Sequence, residues 1–129
     1  MSKEIIGGEI RVGGVTMPLA KAVRAGDFVF VSGQVAISSE GEIVAGGIAE
    51  QTRGAMDSMA AVLKEAGCDL GDVVETTVWL DDPRDFWNFN KVYAEYFTND
   101  PPARSTVRAD LMLDAKVEIE AVAYKPQQS

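Results

Sequence analysis

Alternation of apolar and polar positions is sharpest toward the C-terminal end of the chain. Across Arg104–Ala109, Arg104, Thr106 and Arg108 share one face and Ser105, Val107 and Ala109 the other, the period of two that marks a strand. A short connection, Asp110 to Ala115, leads to the run Lys116–Tyr124. There Val117, Ile119, Ala121 and Ala123 lie on one face and Glu118 and Glu120 on the opposite one. Val73–Leu80 has the same period, with Val74, Thr76, Val78 and Leu80 on one face and Val73, Glu75, Thr77 and Trp79 on the other. Ala20–Ala25, the Gly26-Asp27 turn and the run Phe28–Val31 predict a hairpin. Glu9–Val12 also alternates and predicts a short strand in the otherwise weakly patterned residues 1–16.

Two segments switch to the helical period. From about Ile48 to Ala66, the residues Thr52, Ala55, Met56, Met59, Val62, Leu63 and Ala66 form one stripe, and Gly67 is placed to end the helix. The second helix is predicted to start at Asp82 as its cap, with Pro83 in first position. Its inner stripe is Phe86, Phe89, Asn90, Tyr93, Tyr96 and Phe97, and the amide of Asn90 in that apolar setting predicts a buried hydrogen bond. The order is a hairpin or meander, helix, strand, helix and two strands. This predicts a single α+β domain over residues 1–129, with both helices on one face of one sheet. The other face is expected to carry side chains of the Phe28–Val31 strand, Trp79, and the charges of Arg104, Glu118 and Glu120. A face of that mixed character is best explained by burial against other copies of the chain.

Composition narrows the chemistry. An apolar fraction of 47% and a charged fraction of 25% are those of an ordinary globular protein. A net charge of −8 with no basic run argues against a nucleic-acid footprint. The opening MSKEIIGGE has no apolar core of a signal peptide, and no apolar run reaches membrane-spanning length. The one cysteine, Cys68, precludes an intrachain disulfide, fits a cytoplasmic protein, and reads as a small buried hydrophobe. The absence of histidine excludes Ser-His and Cys-His nucleophile pairs, imidazole metal sites and imidazole acid–base catalysis.

What remains is carboxylate, guanidinium, hydroxyl and backbone chemistry. Gly33, directly after a strand, is open to two readings: a twist-relieving bulge, or a close backbone approach such as one to a ligand. Glu118 and Glu120 have the spacing of a solvated strand face and do not by themselves make a metal site. Arg104 and Glu118 are open to an intersubunit ion pair as well as to a catalytic role.

The segments Val31-Ser32-Gly33-Gln34, Gln51-Thr52-Arg53, Glu75-Thr76-Thr77-Val78, Asn90-Lys91-Val92-Tyr93, Pro102-Ala103-Arg104-Ser105 and Val117-Glu118-Ile119-Glu120-Ala121 occur in that order. Together, from about Pro18 to Tyr124, they resemble the Rid (YjgF) family of imine/enamine deaminases. The resemblance implies a chorismate-mutase-like fold, a homotrimer whose sheets form a central barrel, and sites at the three subunit clefts. It also implies hydrolysis of reactive 2-imino or enamine acids such as 2-iminopropanoate, with no metal and no organic cofactor. Carried over from the family, Arg104 grips the substrate carboxylate and Glu118 handles the attacking water. Ser32 and Gly33 lie close to the substrate, Thr106 helps line the pocket, and Asn90 supports the site.

One position departs from the pattern. Where the archetypal deaminases have Pro-Tyr, with the tyrosine in the active site, this chain has Pro18-Leu19. A looser resemblance, carried by Arg24–Phe28 and Ala121–Pro126, is to members that deaminate 2-aminomuconate, a ring-cleavage enamine. Leu19 also leaves room for a non-catalytic trimer that binds small carboxylates. RNA cleavage, an activity attached to some relatives, is disfavoured by the −8 charge.

Overall fold

The structure is a computed structural model that describes residues 2–127. Its strands are β1 (Glu4–Ile6), β2 (Arg11–Val12), β3 (Val15–Thr16), β4 (Ala22–Ala25), β5 (Phe28–Gln34), β6 (Val73–Leu80), β7 (Ala103–Arg108) and β8 (Val117–Tyr124). The helices are α1 (Ile48–Glu65) and α2 (Phe86–Tyr96). Six strands form one sheet in the order β1-β4-β5-β8-β6-β7, and β2 and β3 form a separate hairpin. Every pairing in the large sheet is antiparallel except β6 with β7, whose connection through α2 is the kind of crossover that parallel neighbours need.

Local chemistry sets the element boundaries. Gly67 takes φ 79° just past α1, a left-handed conformation that most side chains resist. Arg24 donates through Nη2 to the Ala66 carbonyl at 2.9 Å, satisfying an end carbonyl of that helix. Asp82 accepts from the Arg84 backbone N–H at 2.9 Å and caps a single tight turn, Pro83–Asp85, with Pro83 at its start. That turn runs directly into α2.

Both helices pack on one side of the sheet, as the two amphipathic stripes predict. Val29, Val31, Val78, Val117 and Ile119 are buried from the strands, and Met56, Met59, Leu63 and Phe89 from the helices. Gln51 fastens this layer to the loops at its end: its Nε2 donates to the Val44 carbonyl (3.2 Å) and its Oε1 accepts from the Lys116 N–H (2.7 Å). The opposite face carries Phe28, Phe30 and Tyr124, each more than 40% exposed, with the Phe28 and Tyr124 rings 5.1 Å apart.

Three expectations need correction. Residues 1–16 hold more strand than their pattern showed: β1 pairs with β4, and only Arg11–Val12 of the predicted Glu9–Val12 strand is paired. β6 keeps its alternation only from Glu75 onward, because a register shift between Val73 and Glu75 buries Val73 and exposes Val74. Finally, Arg104 is not on the open face with Glu118 and Glu120. Parallel pairing sets Arg104 beside the buried Thr76, so it points to the helix side.

Replacing Gln51 by Leu keeps the side-chain bulk but strands the Lys116 N–H and the Val44 carbonyl. The cost is about 2 kcal/mol of stability, to be read as a lowered urea midpoint at unchanged slope.

Candidate functional site

The Arg104 side chain lies against three rings of α2. Its guanidinium carbon is 4.8 Å from the Tyr93 ring centroid, 5.3 Å from that of Phe89 and 5.8 Å from that of Phe86. Arg104 projects from β7 next to Thr76, and the Thr76 hydroxyl shares a buried 2.7 Å hydrogen bond with the Tyr93 phenol. That bond fixes the ring closest to the guanidinium. Burial pushes the Tyr93 phenol up, while the Thr76 bond and the nearby Arg104 charge pull it down. No acidic side chain among the described residues pairs with Arg104. An arginine packed on aromatic faces, planar, always charged and without a carboxylate of its own, is suited to receive one from outside.

Hollows flank the guanidinium. One, of about 340 Å³, is lined by Arg104, Asn90, Tyr93, Phe97, Pro101 and Pro102. Asn90 is half-buried, and its side-chain amide has no hydrogen-bond partner among the described residues. The buried hydrogen bond expected of it is therefore not made within the chain, because its amide faces this hollow rather than the core. Thr106, two residues along the same strand face, lines a second hollow with Phe86 and Trp87.

Glu118 occupies the other face. The pairing of β5 with β8 slips between Val31 and Gln34, and Gly33 sits in that irregularity. A Cβ at position 33 would overlap Glu118 Oε2. Gly33 therefore marks a bulge, and it leaves room for the Glu118 carboxylate to lie against the backbone. Next to it, Ser32 donates through Oγ to the Ala20 carbonyl (2.6 Å) and through N–H to Lys21 (3.0 Å). These bonds hold the segment carrying the exposed Leu19 against β5. Burial pushes the Glu118 carboxyl up from its ordinary value, and the neighbouring Glu120 charge adds to the effect. No cation pairs with it among the described residues.

The residues singled out from sequence thus form two groups. Arg104, Thr106 and Asn90 lie on the helix side at the β7 edge. Glu118, Gly33 and Ser32, with Leu19 close in the chain, lie at the open side of β5 and β8. Two strand spacings separate β7 from β8, about 10 Å, and Glu118 is level with Val107 rather than Arg104. The Arg104 and Glu118 side chains project from opposite faces of the sheet. The aromatic support of Arg104 was missed in the sequence because the same stripe serves the core. Among the described residues no cluster of three or more acidic or cysteine side chains could hold a metal ion. No helix among them is long and apolar enough to cross a membrane.

The comparisons with known proteins agree with this architecture. Residues 14–125 match the family described as endoribonuclease L-PSP. The chain is 47% identical over 110 residues to a RutC family protein of Pyrococcus abyssi, covering 84% of this chain and 87% of that one. It is 41% identical over 114 residues to the human 2-iminobutanoate/2-iminopropanoate deaminase, covering 87% and 83%. Among solved structures, a Rid family protein from Yersinia pestis superposes with a TM-score of 0.87 at 32% identity, covering 95% and 99%. Escherichia coli TdcF with bound serine gives 0.83 at 35% identity, covering 95% and 98%. With its sheet, its helix layer and most of its length matched, the chain belongs to the Rid (YjgF) family.

Proposed function

We propose that the protein is a hydrolytic deaminase of 2-imino and enamine carboxylic acids, working in sites completed between copies of the chain. The observation that carries this reading is the Arg104 guanidinium, held on three aromatic faces with no carboxylate partner among the described residues. Relatives named as 2-iminobutanoate/2-iminopropanoate deaminases support it. In this reading Arg104 of one copy binds the substrate carboxylate through paired N–H donors, with Thr106 and Asn90 alongside. A neighbouring copy brings Glu118 over Gly33, together with Ser32 and Leu19.

The reaction adds water across C=N and expels ammonia, giving a 2-keto acid. An enamine first takes a proton on carbon to become the imine. The imine carbon is already electrophilic, so the site has to orient more than activate. Glu118 accepts a proton from the attacking water and returns one to the departing nitrogen. Its raised pKa brings it closer to the range where one carboxyl serves both steps.

Half-sites on opposite faces of one sheet do not both face a single twofold-related neighbour. This favours a head-to-tail ring, for which a trimer with the exposed Phe28, Phe30 and Tyr124 turned inward is the simplest form. RNA cleavage, which the family description names, has no support in the charge: the sequence is −8 overall.

The direct test is ammonia and keto-acid release from freshly generated 2-iminopropanoate. Arg104→Ala should lower kcat/KM by about 10²-fold or more, and Glu118→Gln by about 10²- to 10⁴-fold. Full activity in Arg104→Ala would refute the reading. Leu19→Tyr, which supplies the missing hydroxyl, should leave activity equal or higher. If the wild type is inactive and only Leu19→Tyr releases ammonia, the cleft is a binding site rather than a catalytic one.

Activity depends on the ionised form of Glu118, so kcat/KM should fall as pH drops through its raised pKa. Because Glu120 contributes to that rise, Glu120→Gln should move the acidic limb of the pH profile to lower pH. An unmoved limb would mean that another group sets it.

A further inference from the structure

Arg104 is not the only arginine on its strand face. Arg104, Thr106 and Arg108 are in register with Thr76, Val78 and Leu80, so all three project to the side that α2 covers. At about 6.6 Å for every two residues, the Arg104 and Arg108 Cα atoms are about 13 Å apart. Along this stretch runs a cavity of about 240 Å³, lined by Leu80, Phe86, Trp87, Thr106 and Arg108. Arg104 itself does not line it, and the neighbour they share is Phe86, whose ring is also 5.8 Å from the Arg104 guanidinium carbon.

The cavity has no use for a three-carbon imine, whose side chain is one methyl group. Its middle is apolar and aromatic, and its outer part is cationic. Arg108 has no acidic partner among the described residues. Asp82 is near enough to feel the Arg108 charge, but Arg84 already occupies it. The Arg84 Nε contacts both Asp82 carboxylate oxygens at 3.1 Å, and its Nη2 contacts Oδ2 at 2.7 Å. Two guanidiniums without acidic partners among the described residues, with an apolar cleft along the strand between them, match a molecule with an anionic group at each end of a short carbon chain. A five-carbon diacid carries one carboxylate for each guanidinium across a short apolar middle.

We propose that this cleft is the side-chain subsite of the deaminase, and that its preferred substrates are 2-imino or enamine acids with a second carboxylate that Arg108 binds. The proposal rests on the deaminase reading and names the substrate class of that site. Arg108 then acts on specificity alone. It touches the far end of the substrate and leaves the C=N chemistry to the groups around Arg104 and Glu118.

The test compares two probes of equal chain length, 2-iminoglutarate and 2-iminopentanoate, made in situ by oxidation of glutamate and norvaline, with 2-iminopropanoate as control. The wild type should favour 2-iminoglutarate over 2-iminopentanoate by about 10- to 100-fold in kcat/KM, mainly through KM. Because Arg108 is exposed, added salt should shrink that preference. Arg108→Ala should abolish it while leaving 2-iminopropanoate turnover unchanged, and Arg108→Lys should restore part of it. Equal treatment of the two five-carbon probes by the wild type, or a preference that survives in Arg108→Ala, overturns the subsite while 2-iminopropanoate turnover upholds the deaminase. Release from none of the three overturns both.

Discussion

The parallel pairing of β7 with β6 is the constraint on which the site depends. It fixes which face of the edge strand meets α2, and so delivers Arg104 to the rings of Tyr93, Phe89 and Phe86. A slip of one residue would turn every side chain of β7 to the other face. Arg104 would then leave its aromatic support, and Ser105 and Val107 would take its place. The register is anchored at one end by the Ala109 N–H donating to the Leu80 carbonyl at 3.0 Å. The Thr76–Tyr93 hydrogen bond ties the same level of β6 to α2. Strand pairing, core packing and placement of the charge are therefore set by the same few contacts.

The second charge is placed by a different device. Glu118 belongs to β8, whose other face is fully packed by Val117, Ile119, Ala121 and Ala123. Strict alternation leaves Glu118 no choice but the open face. The irregularity at Gly33 then lets its carboxylate lie against β5, where partial burial raises its pKa. Among the described residues, Arg104 and Glu118 are each left without an opposite charge, on surfaces that face away from each other. Ionic groups in that condition call for partners from outside the chain, whether a substrate, another copy, or both.

Much of this is legible in the chain itself. The strand faces of β7 and β8, the two helical stripes, the Gly67 stop and the Asp82-Pro83 start all follow from local periods and capping chemistry. The face on which Arg104 lies does not. Its own alternation says only that Arg104, Thr106 and Arg108 agree with one another. Which side they take depends on the pairing with β6, a contact between residues far apart in sequence. The aromatic stripe of α2 reads as core, which holds for Phe89 and Tyr93, and these same rings, with the half-buried Phe86, also support Arg104. The Val74 bulge and β1 escaped notice because neither leaves a periodic signal in so few residues. Asn90 lies on the apolar stripe by its spacing, yet it lines a hollow with Pro101 and Pro102, residues that follow α2 in the chain.

The central claim is that each site takes its arginine from one copy and its glutamate from another. Subunit mixing tests it most directly. Arg104→Ala and Glu118→Gln chains, each inactive alone, are unfolded together, refolded at equal ratio and assayed with 2-iminopropanoate. Sites shared between neighbours in a closed ring should return about a quarter of the wild-type activity, since that share of random interfaces pairs an intact arginine with an intact glutamate. Mixed assemblies that form but stay inactive would place both groups' work within one chain and contradict the shared site.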